Sequence, residues 1–171
     1  MRVRGSGKRR RCRTKGEVAR SLSSEGHELE RIDAAIVQEL YNDARIARAE
    51  LARRVGLSAP SVGDRVRRLE DTGVITGYGA RIDPARLGFG LTVLIRARPL
   101  PGEMENMIDA IRSTRQIEVC ERVSGEDCFV ARAHVRDVAE METVIDRLVP
   151  FGATNSSIVQ SAPVSPRLVE I

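Results

Sequence analysis

Twenty residues, Arg48 to Arg67, carry the residue types and the spacing with which a protein reads duplex DNA. Ala52 is small where one helix must pass close to the next. Gly56, four residues on, falls at a sharp turn, where a residue without a Cβ takes positive φ at no steric cost. Val62 then begins a stripe with Val66 and Leu69 that packs back onto the first helix, faced by Leu51 and Val55. These offsets predict a helix-turn-helix, with an αα-hairpin whose second helix only packs as the alternative. With the stripe inward, steps of about 100° per residue turn Pro60, Asp64 and Arg67 outward. Ser61, Gly63 and Arg68 flank that face, and Arg65 lies nearer the core edge, within reach of a phosphate. Ser58 caps the helix and joins Ser61 as a hydrogen-bonding partner, while Gly63 lets the groove wall come close. Arginines in such a helix choose between guanine edges and phosphate oxygens. Asp64 either accepts from a cytosine amino group or pairs with Arg67 or Arg68. The candidate DNA contacts are therefore Ser58, Pro60, Ser61, Gly63, Asp64, Arg65, Arg67 and Arg68.

The elements that must hold this helix are legible on either side. Leu29, Ile32, Ile36 and Leu40 recur at helical spacing and predict a supporting helix of about three turns. Pro60 is tolerated because it falls in the first turn after the Ser58 cap, and Gly73 ends the reading helix. Val74, Ile75, Tyr78 and Ile82 suggest a short extended stretch, and Asp83-Pro84 with Gly88 and Gly90 read as a hinge.

Beyond the hinge the period changes. Leu91, Val93, Ile95 and Ala97 alternate as a strand, and Met104, Met107, Ile108 and Ile111 mark a helix. Ile117, Val119 and Val123 form a second strand; Phe129, Ala131, Ala133 and Val135 form a third. Between these two, Gly125-Glu126-Asp127 reads as a three-residue hairpin loop that sets Ser124 opposite Cys128. A helix from Val138 to Val149 and a last strand at Ile158 and Val159 complete a βαββαβ order of ferredoxin-like type. Two helices cover one face of such a sheet. The other face is expected to present Leu94, Cys120 and Val130, apolar enough to imply a second copy of the domain.

Charge divides the chain. The net charge is +4, but residues 1–28 hold nine Arg and Lys against three Glu, and residues 83–171 hold ten Arg against thirteen acids. Basicity therefore sits in the first segment, which has no hydrophobic period and reads as a disordered arm for phosphates, a solvated tail, or a start assigned too far upstream. The division is 1–28 arm, 29–82 helix-turn-helix domain, 83–90 linker, 91–161 βαββαβ domain and 162–171 tail. Nothing resembles a secretory signal or a membrane span. Cys12, Cys120 and Cys128 have no metal-ligand spacing and read as free thiols of a reducing cytoplasm. His27 and His134 form no catalytic set, and no cofactor and no enzyme activity are expected.

At this point the chain resembles the Lrp/AsnC, or feast/famine, family of bacterial transcriptional regulators. The resemblance rests on Ile32-Asp33 with Ile36 and Leu40, the run Glu50 to Ser58, Arg65 to Glu70, Gly73-Val74-Ile75, Gly77-Tyr78 and Val123 to Glu126. It implies an α+β protein: a winged-helix-like DNA-binding domain joined to a ferredoxin-like domain of RAM or ACT type that dimerises and binds effector. It also implies dimers assembled into larger even-numbered, often octameric discs around which DNA wraps, in a nucleoid-associated cytoplasmic protein. Family effectors are usually amino acids held near the loop that matches Ser124, Gly125, Glu126 and Asp127. The chain departs from the family there. Many relatives follow the glycine with an acidic residue, an aromatic residue and then aspartate, whereas Glu126 is followed by Asp127 and Cys128. A carboxylate is what would hold an amino acid's ammonium group; a solvated turn is the other reading of Glu126 and Asp127. Two other functions stay open on sequence: an effector-independent architectural DNA organiser, and an amino-acid-sensing regulator of an enzyme.

Overall fold

The computed structural model describes residues 30–169, and the basic arm lies outside them. The chain divides into two compact units, one ending at Tyr78 and the other spanning Gly79–Arg167.

Three helices build the first unit: α1 (Arg31–Asn42), α2 (Arg48–Val55) and α3 (Ala59–Asp71). Their core is Ile36, Leu51, Ala52, Val62 and Leu69, all buried, with Val66 and Ile75 packed at its edge. Gly56 ends α2 in the left-handed region at φ 72°, as the turn required, and Leu57 N–H donates back to the Ala52 carbonyl at 3.0 Å. The Ser58 hydroxyl accepts from Ser61 N–H, and Pro60 occupies the first turn of α3. At the far end Gly73 takes φ 76°. The expected extended stretch at residues 74–82 forms no strand. Ile75 instead donates its N–H to the Leu69 carbonyl at 2.9 Å, folding the segment against the end of α3.

The second unit has β1 (Leu91–Pro99), α4 (Met104–Ser113), β2 (Ile117–Arg122), β3 (Phe129–Val135), α5 (Val138–Asp146) and β4 (Gly152–Ile158). The sheet order is β2-β3-β1-β4, with every neighbouring pair antiparallel. Val93, Ile95 and Ala97 of β1 and Phe129, Ala131, Ala133 and Val135 of β3 are buried in one core with Met107, Ile111, Val144 and Leu148 of the helices.

Three sequence expectations change. The hairpin pairs Arg122 with Phe129, and Val123 N–H donates to the Cys128 carbonyl at 2.9 Å. The loop is therefore the four residues 124–127, and Ser124 does not oppose Cys128. Next, β2 shifts register between Ile117 and Val119. A bulge inserts one unpaired residue and reverses the alternation beyond it, so Cys120 lies opposite Ala131 and packs with the helix-side core, not on the open face. Last, that open face is polar. Register and alternation place Thr92, Arg96, Arg98, Glu121, Arg132, His134 and Asn155 there around Leu94, Val119 and Val130. The apolar face inferred from sequence is a mixed-charge surface.

The last strand, expected at Ile158 and Val159, runs instead from Gly152 to Ile158; most of GATNSSI is small or polar and carries no hydrophobic period, so its backbone pairing to β1 makes it a strand. Gly152 is essential to that pairing. A Cβ there would stand 2.2 Å from the Arg98 carbonyl oxygen and 2.8 Å from Pro99 Cα, both rigid backbone. Gly152→Ala is expected to destabilise the protein by about 1–3 kcal/mol, the usual cost of overpacking, read as a lowered urea midpoint at unchanged slope.

Candidate nucleic-acid interface and effector loop

Asp33 organises the reading helix. It stands in the first turn of α1, where an acidic side chain suits the helix dipole, and only 3% of its surface is exposed. Arg65 Nη1 donates to Asp33 Oδ1 at 2.9 Å and to Glu30 Oε2 at 2.8 Å. Arg68 Nη2 donates to Asp33 Oδ2. Both carboxylate oxygens thus accept from α3. Burial pushes the Asp33 carboxyl up, but the hydrogen bonds from Arg65 and Arg68 and the two positive charges together hold it below its ordinary value.

This geometry sorts the candidate residues. Arg65 and Arg68, placed by sequence reasoning at a phosphate and on the groove-facing flank, are turned toward α1 by Asp33. Arg67 forms no ion pair among the described residues and stays exposed, as does Asp64, so the expected pairing of Asp64 with Arg67 or Arg68 is absent. Pro60 is exposed beside them. The Ser58 and Ser61 hydroxyls bond each other at 2.8 Å. Gly63 is half-buried beneath the Arg48 side chain rather than open to a groove wall. On α2, Arg53 and Arg54 are neutralised within the unit. Glu50 receives Arg53 at 2.7 Å and Arg54 at 2.9 Å, and Arg54 also reaches Glu39 at 2.8 Å. Arg53 first, then Arg54, holds the Glu50 carboxyl down to about 2.

In the second unit Ser124, Gly125 and Glu126 of the hairpin loop are exposed and Asp127 is half-buried. Gly125 takes φ 124°, which favours glycine. The loop closes over the end of the open sheet face. Arg98 Nη1 lies 3.4 Å from Glu126 Oε2, and Arg96 Nε lies 3.9 Å from Asp127 Oδ2. Arg96 Nη2 also donates to Asn155 Oδ1 at 3.0 Å. Arg96, Arg98, Asp127, Ala153, Thr154 and Asn155 line a pocket of about 310 Å³. Sequence reasoning found the loop but missed the two arginines and Asn155, because sheet pairing across nearly sixty residues brings them together. A larger open hollow of about 630 Å³ between α4 and Phe151 has a mostly apolar lining and no comparable convergence of charge. Elsewhere on the open face, His134 Nε2 lies 3.0 Å from Glu118 Oε2 and Nδ1 lies 3.1 Å from Thr92 Oγ1. Cys120 and Cys128 form no disulfide with each other. Among the described residues no group of three or more His, Cys, Asp or Glu is placed to hold a metal ion, and no helix is long and apolar enough to cross a membrane.

Both units match known families. Residues 29–76 match a winged helix-turn-helix DNA-binding family, and residues 92–169 match the Lrp/AsnC ligand binding domain. The HTH-type transcriptional regulator LrpC of Bacillus subtilis is 31% identical over 133 residues, covering 78% of this chain and 92% of the relative. The chain belongs to the Lrp/AsnC family of transcriptional regulators. The solved structure of B. subtilis LrpC superposes on this regulator with a TM-score of 0.77 at 29% identity, covering 81% of this chain and 99% of the other. A feast or famine regulatory protein from Mycobacterium tuberculosis, complexed with L-methionine, does so with a TM-score of 0.76 at 34% identity, covering 82% and 98%. The α+β architecture read from sequence is the architecture of these relatives.

The Asp33 clamp carries a pH signature. A carboxylate held below its unfolded value, about 3.9 for Asp, stabilises the fold above that value. The contribution is lost as pH falls through the lower folded value. Asp33→Asn is therefore expected to lower stability at neutral pH and to flatten the fall in stability as pH drops below the ordinary aspartate range, about 3.9, as followed by urea titrations at decreasing pH. An acid limb as steep as in the parent protein would show that Asp33 contributes nothing to it.

Proposed function

We propose that this DNA-binding transcriptional regulator reads its operator through the outward face of α3, with Arg67 as the principal base-reading side chain and Pro60, Asp64 and Ser61 beside it. One observation carries this reading: of the three arginines on α3, Arg67 alone has no acidic partner among the described residues, while Arg65 and Arg68 share Asp33. A guanidinium with its donors free can fork onto guanine O6 and N7; one spent on a buried carboxylate cannot do so without leaving that carboxylate unpaired. Arg67→Ala is expected to weaken binding to a selected duplex by about 1–3 kcal/mol and relax selectivity at one position. Arg68→Ala is expected to change thermal stability more than base preference. Equal loss of selectivity in both variants, measured by random-pool selection and filter binding, would overturn the assignment.

The effector reading rests on the pocket under the hairpin loop. Arg96 and Arg98 offer guanidinium donors to a carboxylate, and Glu126 and Asp127 offer carboxylates to an ammonium group, the two charges of a free amino acid. The displaced carboxylate of the loop is thus answered by arginines from β1. The M. tuberculosis relative complexed with L-methionine supports an amino acid as ligand class. The working form is a homodimer or a larger even-numbered assembly in the cytoplasm, and the mixed-sign open face of the sheet suits a second copy of itself. L-Methionine in excess is expected to raise the melting midpoint of the parent protein, and Arg96→Ala with Asp127→Ala to abolish that rise. A midpoint unmoved by any of the twenty amino acids would favour an effector-independent organiser of DNA.

A further inference from the structure

Gly63 sits in the middle of α3, where glycine is less favourable than alanine. Its place is explained by what lies over it. A Cβ built at Gly63 would stand 3.5 Å from Arg48 Nη1 and 3.7 Å from both Cδ and Cζ. The end of the Arg48 side chain therefore lies across the bare backbone of the reading helix, and a side chain longer than alanine would occupy its seat. Arg48 forms no ion pair or hydrogen bond among the described residues, although four other arginines of α2 and α3 are bound to acids.

Tyr78 Oη donates to Glu70 Oε1 at 2.7 Å. Burial first, then Glu70, pushes the Tyr78 phenol up to about 12, with the Arg48 charge acting against them. Arg48 is thus close enough to act on this pair, yet Glu70 spends its carboxylate on the phenol. Arg67 follows Gly63 by four residues and shares its side of α3. Arg48 and Arg67, neither in an ion pair among the described residues, therefore border one side of the helix, one from each helix of the motif.

We propose that Arg48, seated on Gly63, is a phosphate clamp that fixes α3 in the major groove. This rests on the DNA reading of α3 and adds to it a contact that the offsets of the motif do not contain. A phosphate is favoured over a base edge because Arg48 belongs to the first helix of the motif, which crosses the sugar–phosphate backbone while the second enters the groove. A guanidinium fork matches two phosphate oxygens, and a side chain already laid on the helix loses little freedom on binding.

The test uses the full chain, a duplex that it selects from a random pool, and a scrambled duplex of equal length. Arg48→Ala is expected to weaken both by about three- to tenfold and to make the salt dependence shallower by about one unit of slope. Gly63→Leu keeps the charge but fills the seat, and is expected to lose as much affinity with unchanged helical content by circular dichroism. Combining the two changes should cost no more than either alone. Arg48→Ala binding both duplexes like the parent would overturn the proposal. So would loss confined to the selected duplex with the salt slope intact, which marks a base reader. If the parent chain binds neither duplex, the DNA reading itself fails; if it binds and Arg67→Ala weakens it while Arg48→Ala does not, only the clamp fails.

Discussion

A single buried carboxylate sets the orientation of the reading helix. Asp33 accepts from Arg65 and Arg68, which lie one turn apart on α3, so α3 can neither roll about its axis nor slide along α1 without stranding a charge away from water. Hydrophobic contacts among Ile36, Leu51, Val62 and Leu69 hold the helices together, but such contacts are non-directional and tolerate rotation. The clamp removes that freedom. It also decides which charges face outward, because a helix that spends Arg65 and Arg68 on its own scaffold leaves Arg67 exposed and without an acidic partner among the described residues.

The same economy of charge runs through the first unit. Residues 29–78 hold eight arginines and eight acids, which cancel, and most of the cations on α2 and α3 are neutralised locally. What remains is a small set of guanidinium groups in defined positions rather than a diffuse basic surface. A broad basic patch binds any duplex through counterion release; a few placed donors favour selectivity over raw affinity.

In the second unit, the shape of the sheet face and its pocket depends on irregularities. The register shift in β2 turns Cys120 toward the core and keeps the open face polar. Gly152 lets β4 approach β1 closely enough to bring Asn155 beside Arg96. The four-residue hairpin loop then sets its two acids against Arg96 and Arg98. Each feature is a local departure from regular pairing, and together they create the pocket.

Much of this protein was legible from one dimension, because short-range physics governs it. The turn at Gly56, the cap at Ser58 and the inward stripe Val62, Val66 and Leu69 depend on neighbours within two helical turns, so residue type and spacing suffice. The βαββαβ order followed from hydrophobic period for the same reason, although at β4 only the end at Ile158 was marked, because the small and polar residues before it show no period. Tertiary structure decided everything that turns on partners distant in sequence. Asp33 meets Arg65 and Arg68 across more than thirty residues, and Arg96 meets Asn155 across fifty-nine. A charged side chain in a sequence does not announce its partner, since Coulomb attraction acts through space and long side chains reach in many directions. Amino-acid order therefore marked α3 as the candidate reading element, and only the packing of α1 and α2 against it determined which of its arginines are paired and which stay exposed.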